Sequence, residues 1–542
     1  MDRRGTPRHA AARCTSGTVR AMAPRLVPAS GFAGVDAAAA SADHRATQAA
    51  IAIFERDGNA VDAAIAANAV LTVTAPHLCG LGGDLFALVH DGTTVHALNA
   101  SGRAGSGTDA AALRSAGLRA MPFRHHPAAV TIPGCVDGWT ALHERFGSLP
   151  LGDVLARAIE LARRGTFASP LLVASLQMLD DQARPRFGEL VSQVTGPNAG
   201  VARPGIARTL EAIADAGRDA FYRGEFGAGL VEVSEGMIRD ADLSRSQADW
   251  IEVLSTDAFG VRLHTIPPNS QGYLTLAMAR VAELLGVPDE TESHEWLTRT
   301  IESAVKASIE RPDVLHDAAD GAALIEEAAR RAEMPLPDRW PPTRDGDTTY
   351  LCTAQAAGLA VSLIQSNASG FGSLLVEPNT SINLQNRGLG FSLVEGHPAE
   401  LAPGRRPPHT LSPALVTDSA SGALRSVIGT MGGDAQPQIL LQLLARLFVH
   451  GESPASAIAA PRWVLRGPRT GFDTWDGGEA PSVVIEAHAP DAWRDPVEGH
   501  ETRVAPAFTS EVGHANLIVA GDDGLLHTAA DPRAVIGSAA AR

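Results

Sequence analysis

A run of strand-like segments begins at Thr348, directly after a charged, glycine-containing loop that ends at Asp347. The segments read TTYLCTA, LAVSLIQS, LLVEP, INLQN, ALVT and LRSVIGT, which is the composition of buried strands separated by turns. The chain before this junction is mostly helical in pattern, so the fold must combine helices with sheets. Threonine favours strands, and the pair Thr348-Thr349 therefore has an ordinary structural explanation when it is taken alone.

The first part of the chain carries several local patterns. We predict an alanine-rich helix over 37–56, a second helix over 60–75 and a hairpin over 85–98 that turns at Asp91-Gly92. GWTALHERFG and LGDVLARAIELARRG have apolar residues at helical spacing. Residues 170–340 are mostly helical in pattern, with one strand pair near VRLHTI. The stretch 313–347, charged and rich in alanine and proline, is interpreted as an exposed, flexible linker.

Composition restricts the class of protein. The chain has 542 residues, 45% hydrophobic and 20% charged, which is typical of a globular protein with more than one ordinary core. A net charge of −16 without a basic stripe argues against nucleic acid as a partner, and no apolar run is long enough to span a membrane. Residues 1–34 are predicted to be a disordered extension. Their start is basic but lacks the apolar core of a secretory signal, so we expect cytoplasmic residence.

Isolated motifs give little support to metal or cofactor chemistry. The four cysteines are far apart and form no CxxC pair, and the histidines at 125, 126 and 294 lack partners at ligand spacing. We therefore expect no metal and no cofactor. The segment GTMGGD, 429–434, follows a strand and precedes an apolar helix. Its backbone N–H groups form either a plain turn or a cradle for an oxyanion or a carboxylate.

Five segments of the chain form a recognisable series. They are DGNAVDAAIAANAVLTVTAPHLCGLGGDLFALVHDG, VTIPGCVDGWTALHERFGSLPLGDVLARAIELARRG, AFYRGEFGAGLV with IPPNSQGYLTLAM, TTYLCTAQAAGLAVSLIQSNASGFGS, and RRPPHTLSPALV with GTMGGDAQPQILLQLL. In this order they resemble the γ-glutamyltransferase (glutathione hydrolase) family of N-terminal-nucleophile hydrolases. Together they span roughly residues 35 to 465. The run QNRGLGFSL with HPAELAPGRRPPHT is closer to the γ-glutamyltransferase-like and cephalosporin (glutaryl) acylase-like subgroup.

The resemblance implies an α+β fold, a four-layer αββα sandwich, made as one inactive chain. The hydroxyl of Thr348 would attack the Asp347 carbonyl, shift the acyl group from nitrogen to oxygen and let water release two chains. Residues 35–347 would form the large chain and 348–542 the small chain, and the two would stay associated. The freed α-amino group of Thr348, with a pKa near 8, would then serve as the base for its own hydroxyl.

The resemblance also implies roles for other residues. Ser366 matches a threonine that supports the nucleophile, and Thr349 matches the residue that follows it. Gly432 and Gly433 match the pair whose amides form the oxyanion hole. His409 and Thr410 fall where the family has paired serines that hold the substrate carboxylate.

The chain departs from the family where the substrate α-amino group is bound. The family's aspartate position falls on Gly390 and its assisting asparagine on Ala368. Arg387 and Arg103 instead suit carboxylates, which guanidinium groups can hold through two hydrogen bonds. A surface salt bridge is the alternative role for Arg387.

The sequence therefore predicts a self-processing amidohydrolase or acyltransferase with Thr348 as nucleophile. Its substrate would be a γ-glutamyl or similar carboxylate-bearing acyl amide, and its acceptor water or an amine. An unprocessed relative that acts as a binding or scaffold protein is the main alternative, because the aspartate and the asparagine are missing. A metal-dependent hydrolase is a third and less favoured alternative.

Overall fold

Two large antiparallel sheets organise the chain. The computed structural model describes residues 30–196, 198–336, 347–467 and 481–542. In this part of the chain the strands are β1 Gly31–Gly34, β2 Ala37–Ser41, β3 Asp84–Asp91, β4 Val95–Ala100, β5 Thr166–Phe167, β6 Gly200–Val201, β7 Asp249–Ile251, β8 Leu254–Ala258, β9 Val261–Thr265, β10 Thr349–Gln355, β11 Leu359–Ser366, β12 Val376–Glu377, β13 Ile382–Asn383, β14 Ala414–Thr417, β15 Leu424–Thr430, β16 Trp463–Arg466, β17 Ser482–Glu486, β18 Thr502–Ala505, β19 Ala515–Ala520, β20 Leu526–Ala530 and β21 Ser538–Ala541.

Helices cover the outer faces of these sheets. Among the described residues they are α1 His44–Phe54, α2 Ala60–Thr74, α3 Ala110–Ser115, α4 Cys135–Phe146, α5 Leu151–Arg164, α6 Pro170–Gln177, α7 Gly188–Gln193, α8 Pro204–Ala216, α9 Arg218–Tyr222, α10 Glu225–Val233, α11 Asp240–Leu243, α12 Tyr273–Leu285, α13 His294–Ser308, α14 Arg311–Val314, α15 Gly321–Arg330, α16 Gln436–Phe448 and α17 Pro454–Ala459. None of the helices in these ranges is both long and apolar enough to cross a membrane.

The strand order of each large sheet mixes early and late parts of the chain. One sheet runs β1-β20-β19-β15-β14-β9-β8, and the other runs β21-β2-β10-β11-β3-β4-β7. Each has seven strands, and β10 is central in the second sheet, with β2 and β11 as its antiparallel neighbours. The strand is paired on both edges over 351–354, and its first residue, Thr349, pairs with β11.

The two sheets stack face to face between two helical layers. Alternate residues of β10 divide between the layers, as the period of two of a strand requires. Tyr350, Cys352 and Ala354 join the core between the sheets, whereas Leu351 packs with α1 and α2. On the other side, α12 packs against β8 and β9, α16 packs against β15, and α13 packs on α12 and α16. The architecture is the predicted αββα sandwich.

Several sequence predictions hold, and three need correction. Helices α2, α4 and α5 and the hairpin β3–β4 lie where the sequence predicts them. Residues 37–41 form a strand rather than the start of a helix, because β10 and β21 pair with them on both sides and small side chains fit the crowded space between layers. Residues 31–34, assigned above to a disordered extension, form β1 and pair with β20.

The predicted flexible linker is the third correction. Within 313–336 the chain forms α15, whose N-terminus is capped by the Asp320 side chain and which buries Ile325 and Ala328 against α12. The alanines that suggested a linker instead supply helix propensity and a close-packed face. Residues 337–346 of the predicted linker, and residues 1–29 of the predicted extension, lie outside the described residues.

Candidate active site

Thr348 lies immediately before β10, and only 1% of its surface is exposed. Thr349 pairs with Gln365, so the antiparallel register places Thr348 opposite Ser366, the last residue of β11. The Thr348 hydroxyl donates a hydrogen bond to Ser366 Oγ at 3.1 Å. Two hydroxyl groups 18 residues apart in sequence are therefore brought together by strand pairing alone.

Ser366 links the Thr348 hydroxyl to the carbonyl group before it. Ser366 Oγ donates to the backbone oxygen of Asp347 at 2.8 Å and accepts the backbone N–H of Ala368 at 2.8 Å. With the bond from Thr348, its one donor and two acceptor positions are all used. A donor on a carbonyl oxygen polarises the carbonyl carbon toward attack by a nearby hydroxyl. The arrangement therefore suits attack at the Asp347–Thr348 bond.

Asp347 is held on both its backbone and its side chain. Its N–H donates to the carbonyl of Ala368 at 3.2 Å. Its Oδ2 lies 2.9 Å from the position that a Cβ on Gly370 would take. Burial raises the pKa of the Asp347 carboxyl group to about 6, and the guanidinium of Arg124 and the backbone N–H of Gly370 act in the opposite direction. The backbone and the side chain of the residue before Thr348 are thus both closely surrounded by protein groups.

The turn at Gly432 and Gly433 follows β15 and leads into α16. The two residues have φ angles of 139° and 56°, which favour glycine. Gly429, near the end of β15, lies against the ring of Tyr350, since a Cβ there would be 2.2 Å from that ring. The end of β15 therefore packs on the start of β10, and the glycine turn is at the same end of the sandwich as Thr348.

A single side chain ties the glycine turn to the segment at Thr410. Gln271 Nε2 donates to the carbonyl of Thr410 at 2.8 Å and to that of Gly433 at 3.0 Å. The backbone after Thr410 is held in turn by the side chain of Gln436, which accepts the N–H of Ser412 at 2.9 Å. These bonds bring the predicted oxyanion turn and the predicted carboxylate-binding segment together.

Arg387 belongs to a buried charged cluster. Its Nη1 donates to Thr410 Oγ1 at 3.2 Å. His409, next to Thr410, contacts Asp84 through Nε2 and Oδ2 at 3.2 Å. The N–H of Leu411 donates to His409 Nδ1, so Nε2 carries the proton of a neutral ring. Arg387 is only 2% exposed, which excludes the surface salt bridge considered from sequence.

Burial sets the charge balance of this cluster. The pKa of Asp84 is raised to about 6 by burial, and the nearby charge of Arg387 and the amide of Gln385 oppose that shift. The pKa of Arg387 is lowered to about 10 by burial, with Asp84 and Asp434 acting to raise it. The pKa of His409 is lowered well below its usual value by burial and by the positive charge of Arg387. The cluster therefore keeps one guanidinium charge beside a neutral imidazole.

The structure explains one of the two positions at which this chain departs from the resembled family. A Cβ at Gly390 would lie 2.2 Å from the carbonyl oxygen of Pro408, so an aspartate cannot be accommodated there without moving the backbone. Ala368 has a φ of 77°, a left-handed conformation that asparagine and glycine adopt more readily than alanine. The backbone therefore gives a reason for glycine at position 390 and none for alanine at position 368.

Arg103 is not brought into this cluster. Its guanidinium group binds Asp249, which it shares with Arg406, and Gln247. It lines a cavity of about 650 Å³ whose described wall includes neither Thr348 nor Arg387. The geometry gives no support to the predicted role of Arg103 in holding the substrate.

Sequence reasoning missed four residues of the site. They are Asp84, Arg124, Gln271 and Gln385. Asp84 is the acidic residue of the GGD in the glycine-rich loop, and an acidic residue directly after two glycines could have been recognised from the sequence as a candidate site residue. The other three make contacts across long sequence separations that no local pattern reveals. In the described ranges, no group of three or more His, Cys, Asp or Glu side chains is placed to hold a metal ion.

Comparison with known proteins identifies the fold and the family of this chain. In solved structures the chain is similar to the crystal structure of cephalosporin acylase from Bacillus halodurans, with a TM-score of 0.86, 30% identity, and coverage of 96% of this chain and 98% of the other. The fold is that of an N-terminal-nucleophile hydrolase. The family model of γ-glutamyltranspeptidase matches residues 46–541, and the chain belongs to this family of enzymes.

Two curated relatives cover nearly the whole chain. The glutathione hydrolase-like YwrD proenzyme of Bacillus subtilis is 32% identical over 91% of this chain and 96% of its own length. The oxamate amidohydrolase proenzyme of Klebsiella pneumoniae is 33% identical over 90% of this chain and 96% of its own length. Both relatives are named proenzymes.

Proposed function

We propose that this chain is a self-processing amidohydrolase or acyltransferase that cuts itself between Asp347 and Thr348 and then uses Thr348 as its nucleophile. The observation that carries the proposal is the hydrogen-bonded path from the Thr348 hydroxyl through Ser366 Oγ to the Asp347 carbonyl oxygen. The proenzyme names of the relatives support it. This path and these names favour an enzyme over the non-catalytic binding protein considered above.

The first step of self-cleavage uses groups that are already linked by hydrogen bonds through Ser366. Thr348 Oγ attacks the Asp347 carbonyl carbon and forms an ester as the C–N bond breaks and the nitrogen takes a proton. Water then hydrolyses the ester and leaves a carboxylate on Asp347 and a free amine on Thr348. Ser366, which donates to the carbonyl oxygen, stabilises the negative charge that develops there. The free α-amine has a pKa near 8 and can accept the hydroxyl proton in each later turnover.

The acyl transfer reaction uses the same hydroxyl with an external amide. Thr348 Oγ attacks the substrate carbonyl, and the backbone amides of Gly432 and Gly433 are proposed to receive the oxyanion. Removing one donor of such a pair typically costs about 3 kcal/mol in the transition state. The amine product leaves with the proton from the α-amine, and water or a second amine then releases the acyl group.

The charged cluster favours an acyl group that bears a carboxylate. Arg387 keeps its positive charge while buried, and Thr410 offers a hydroxyl beside it. Asp84, which contacts His409, offsets the positive charge of Arg387. A γ-glutamyl or glutaryl group presents a carboxylate a few bonds from the scissile carbonyl, so we propose these as the first substrates to test. No metal or cofactor is required by this chemistry.

The test combines processing with turnover. Purified protein should give fragments of roughly 36 and 20 kDa, in proportion to 347 and 195 residues of the 56.4 kDa chain, and the smaller one should begin at Thr348. Processed protein should release nitroaniline from γ-glutamyl or glutaryl 4-nitroanilide. Thr348→Ala should abolish both activities. Thr353→Ala, which removes a buried hydroxyl further along β10, should retain both.

The outcomes separate the two parts of the proposal. A Thr348→Ala variant that still cuts itself and turns over anilides would show that another group is the nucleophile. A protein that processes normally but hydrolyses neither anilide would refute the proposed acyl groups and leave the nucleophile in place.

A further inference from the structure

Two consecutive carbonyl groups at the start of the glycine turn are held by hydrogen bonds. The Met431 carbonyl accepts the hydroxyl of Thr430 at 2.8 Å. The Gly432 carbonyl accepts the backbone N–H of Ala435 at 3.0 Å. One of these donors is a side chain and the other is part of the turn itself. Both carbonyl groups therefore have a fixed direction.

These carbonyl groups set the direction of the two proposed oxyanion donors. A trans peptide is planar, so its C=O and its N–H point to opposite sides. The Met431 carbonyl shares its peptide with the N–H of Gly432, and the Gly432 carbonyl shares its peptide with the N–H of Gly433. Of the two donors, the N–H of Gly432 is the one whose direction depends on a side chain, that of Thr430.

Strand alternation places the Thr430 side chain on the helical side of its sheet. Thr430 is the last residue of β15 and is fully buried. Ile428, two residues earlier, packs in the core that contains α12 and α16, whereas Gly429 lies against the ring of Tyr350 between the sheets. Residues two apart in a strand share a face, so Thr430 is on the face of Ile428. Its hydroxyl therefore holds the Met431 carbonyl on the side away from Tyr350.

The N–H of Gly432 accordingly points toward the proposed nucleophile. It lies opposite the Met431 carbonyl across the peptide plane, which directs it to the side of the sheet that faces β10. Tyr350 belongs to that face of β10, and Thr348, two residues before it, follows the same alternation. The Thr430 hydroxyl thus stabilises the peptide orientation in which a donor faces a carbonyl group bound at Thr348.

The hydroxyl opposes a flip of the peptide between Met431 and Gly432. Gly432 and Gly433 both have positive φ angles, and glycine adopts either sign of φ at little cost, so no side chain of the pair itself locks this peptide. A flipped peptide would point the Met431 carbonyl, an acceptor, at the developing oxyanion. The site would then lose one donor and gain a repulsive oxygen.

We propose that Thr430 is a positioning residue of the oxyanion turn, whose hydroxyl keeps the peptide between Met431 and Gly432 in its productive orientation. The inference rests on the proposed function, since it requires the glycine turn to receive the oxyanion of an external amide. Self-cleavage instead uses the Ser366 hydroxyl, which donates to the Asp347 carbonyl. Thr430 should therefore affect turnover of external amides and not processing.

The test compares turnover with processing in variants of Thr430. Thr430→Val has nearly the same shape without the hydroxyl, and Thr430→Ser keeps the hydroxyl. With the 4-nitroanilide that the wild type hydrolyses, Thr430→Val should lower kcat at least about tenfold, and at most by the roughly hundredfold effect of losing one oxyanion donor. KM should stay within about threefold, because the interaction acts in the transition state. The rate of self-cleavage should stay within about twofold of the wild type, and Thr430→Ser should keep kcat within about threefold.

Thr528→Val is the matched control. Thr528 is fully buried on β20 in the same sheet, and its hydroxyl donates to the carbonyl of Leu517 at 2.9 Å. The variant loses a buried hydroxyl that bonds to a neighbouring strand rather than to the glycine turn. It should therefore keep both kcat and the processing rate near those of the wild type.

Each result has one consequence. A Thr430→Val enzyme whose kcat lies within about twofold of the wild type overturns the inference, and so does a Thr430→Ser enzyme as slow as Thr430→Val. Equal losses of kcat and of the processing rate would show a general structural role and would also overturn it. If Thr430→Val is insoluble, Thr430→Ala takes its place with the same expectations. These failures occur in an active wild type and refute the inference alone, whereas a wild type that neither cuts itself nor hydrolyses an anilide refutes the proposed function as well.

Discussion

Replacing Ser366 with alanine tests the role of its hydroxyl in self-cleavage. The substitution removes the donor to the Asp347 carbonyl oxygen and the acceptor for the Thr348 hydroxyl, at 2.8 and 3.1 Å. It also leaves the N–H of Ala368 without its acceptor at 2.8 Å. The variant should therefore be both slower to process and less stable.

The two effects have different magnitudes. Loss of one donor to a developing oxyanion costs about 3 kcal/mol, so the rate of cleavage should fall by roughly a hundredfold. The unsatisfied amide should lower the free energy of unfolding by about 1–3 kcal/mol. Ser366→Thr keeps the hydroxyl and should process at a rate near that of the wild type.

The cleavage rate and the stability are measured in two matched sets of variants. Cleavage is followed by intact mass over time after rapid purification, and stability by urea unfolding of the uncleaved chain, with Thr348→Ala as the unprocessed background for the stability comparison. If Ser366→Ala cleaves within a factor of two of the wild type, polarisation of the Asp347 carbonyl by Ser366 is not part of the mechanism. Loss of stability without slower cleavage would reduce Ser366 to a structural role.

Three further predictions follow from buried groups. Asp84→Ala removes the larger of the two carboxylate charges, those of Asp84 and Asp434, that favour the buried charge of Arg387, and it should lower the free energy of urea unfolding by about 3–5 kcal/mol; a change below about 1 kcal/mol would contradict that pairing. Burial lowers the pKa of His77 to about 3, so the unfolded chain takes up a proton there between pH 6.5 and 3 and the folded chain does not. Stability should therefore fall as pH falls through this window by at most about 1.4 kcal/mol per unit, and His77→Phe should make urea unfolding less sensitive to pH between 7 and 4.5. Gly390→Asp should lower the melting temperature and the soluble yield because its Cβ would lie 2.2 Å from the carbonyl oxygen of Pro408, whereas a fully stable variant would show that this loop can move.

The sequence predicts the centre of the site better than its surroundings. Thr348 and Ser366 belong to consecutive strands, so antiparallel pairing is enough to bring them together. Asp84 and His409 are 325 residues apart, and nothing in either local segment indicates their contact. Arg103 shows the opposite case, because a suitable residue type in a plausible segment pairs with Asp249, and its predicted contact with substrate stays a prediction.

The errors in predicting the fold also arise from contacts between residues far apart in the sequence. The alanines at 37–41 have high helix propensity, yet pairing with β10 and β21 makes them a strand. The alanines at 322–329 have the same propensity, and there no strand competes for them, so α15 forms. Local preference was decisive only where long-range pairing did not oppose it.

The strand order has a consequence for what cleavage leaves behind. In the second sheet, β10 and β21 from after Thr348 flank β2 from before it, and in the first sheet β1 and β9 from before it border β20 and β14 from after it. Two fragments interleaved in this way cannot come apart as rigid bodies, because separation would break both sheets. The free energy that holds the two fragments together would then be inseparable from the free energy of folding of the whole protein. Once unfolded, the two fragments would have to associate again in a bimolecular step. A cut protein of this kind should survive dilution, but the yield of its refolding should depend on concentration, whereas that of the uncut chain should not.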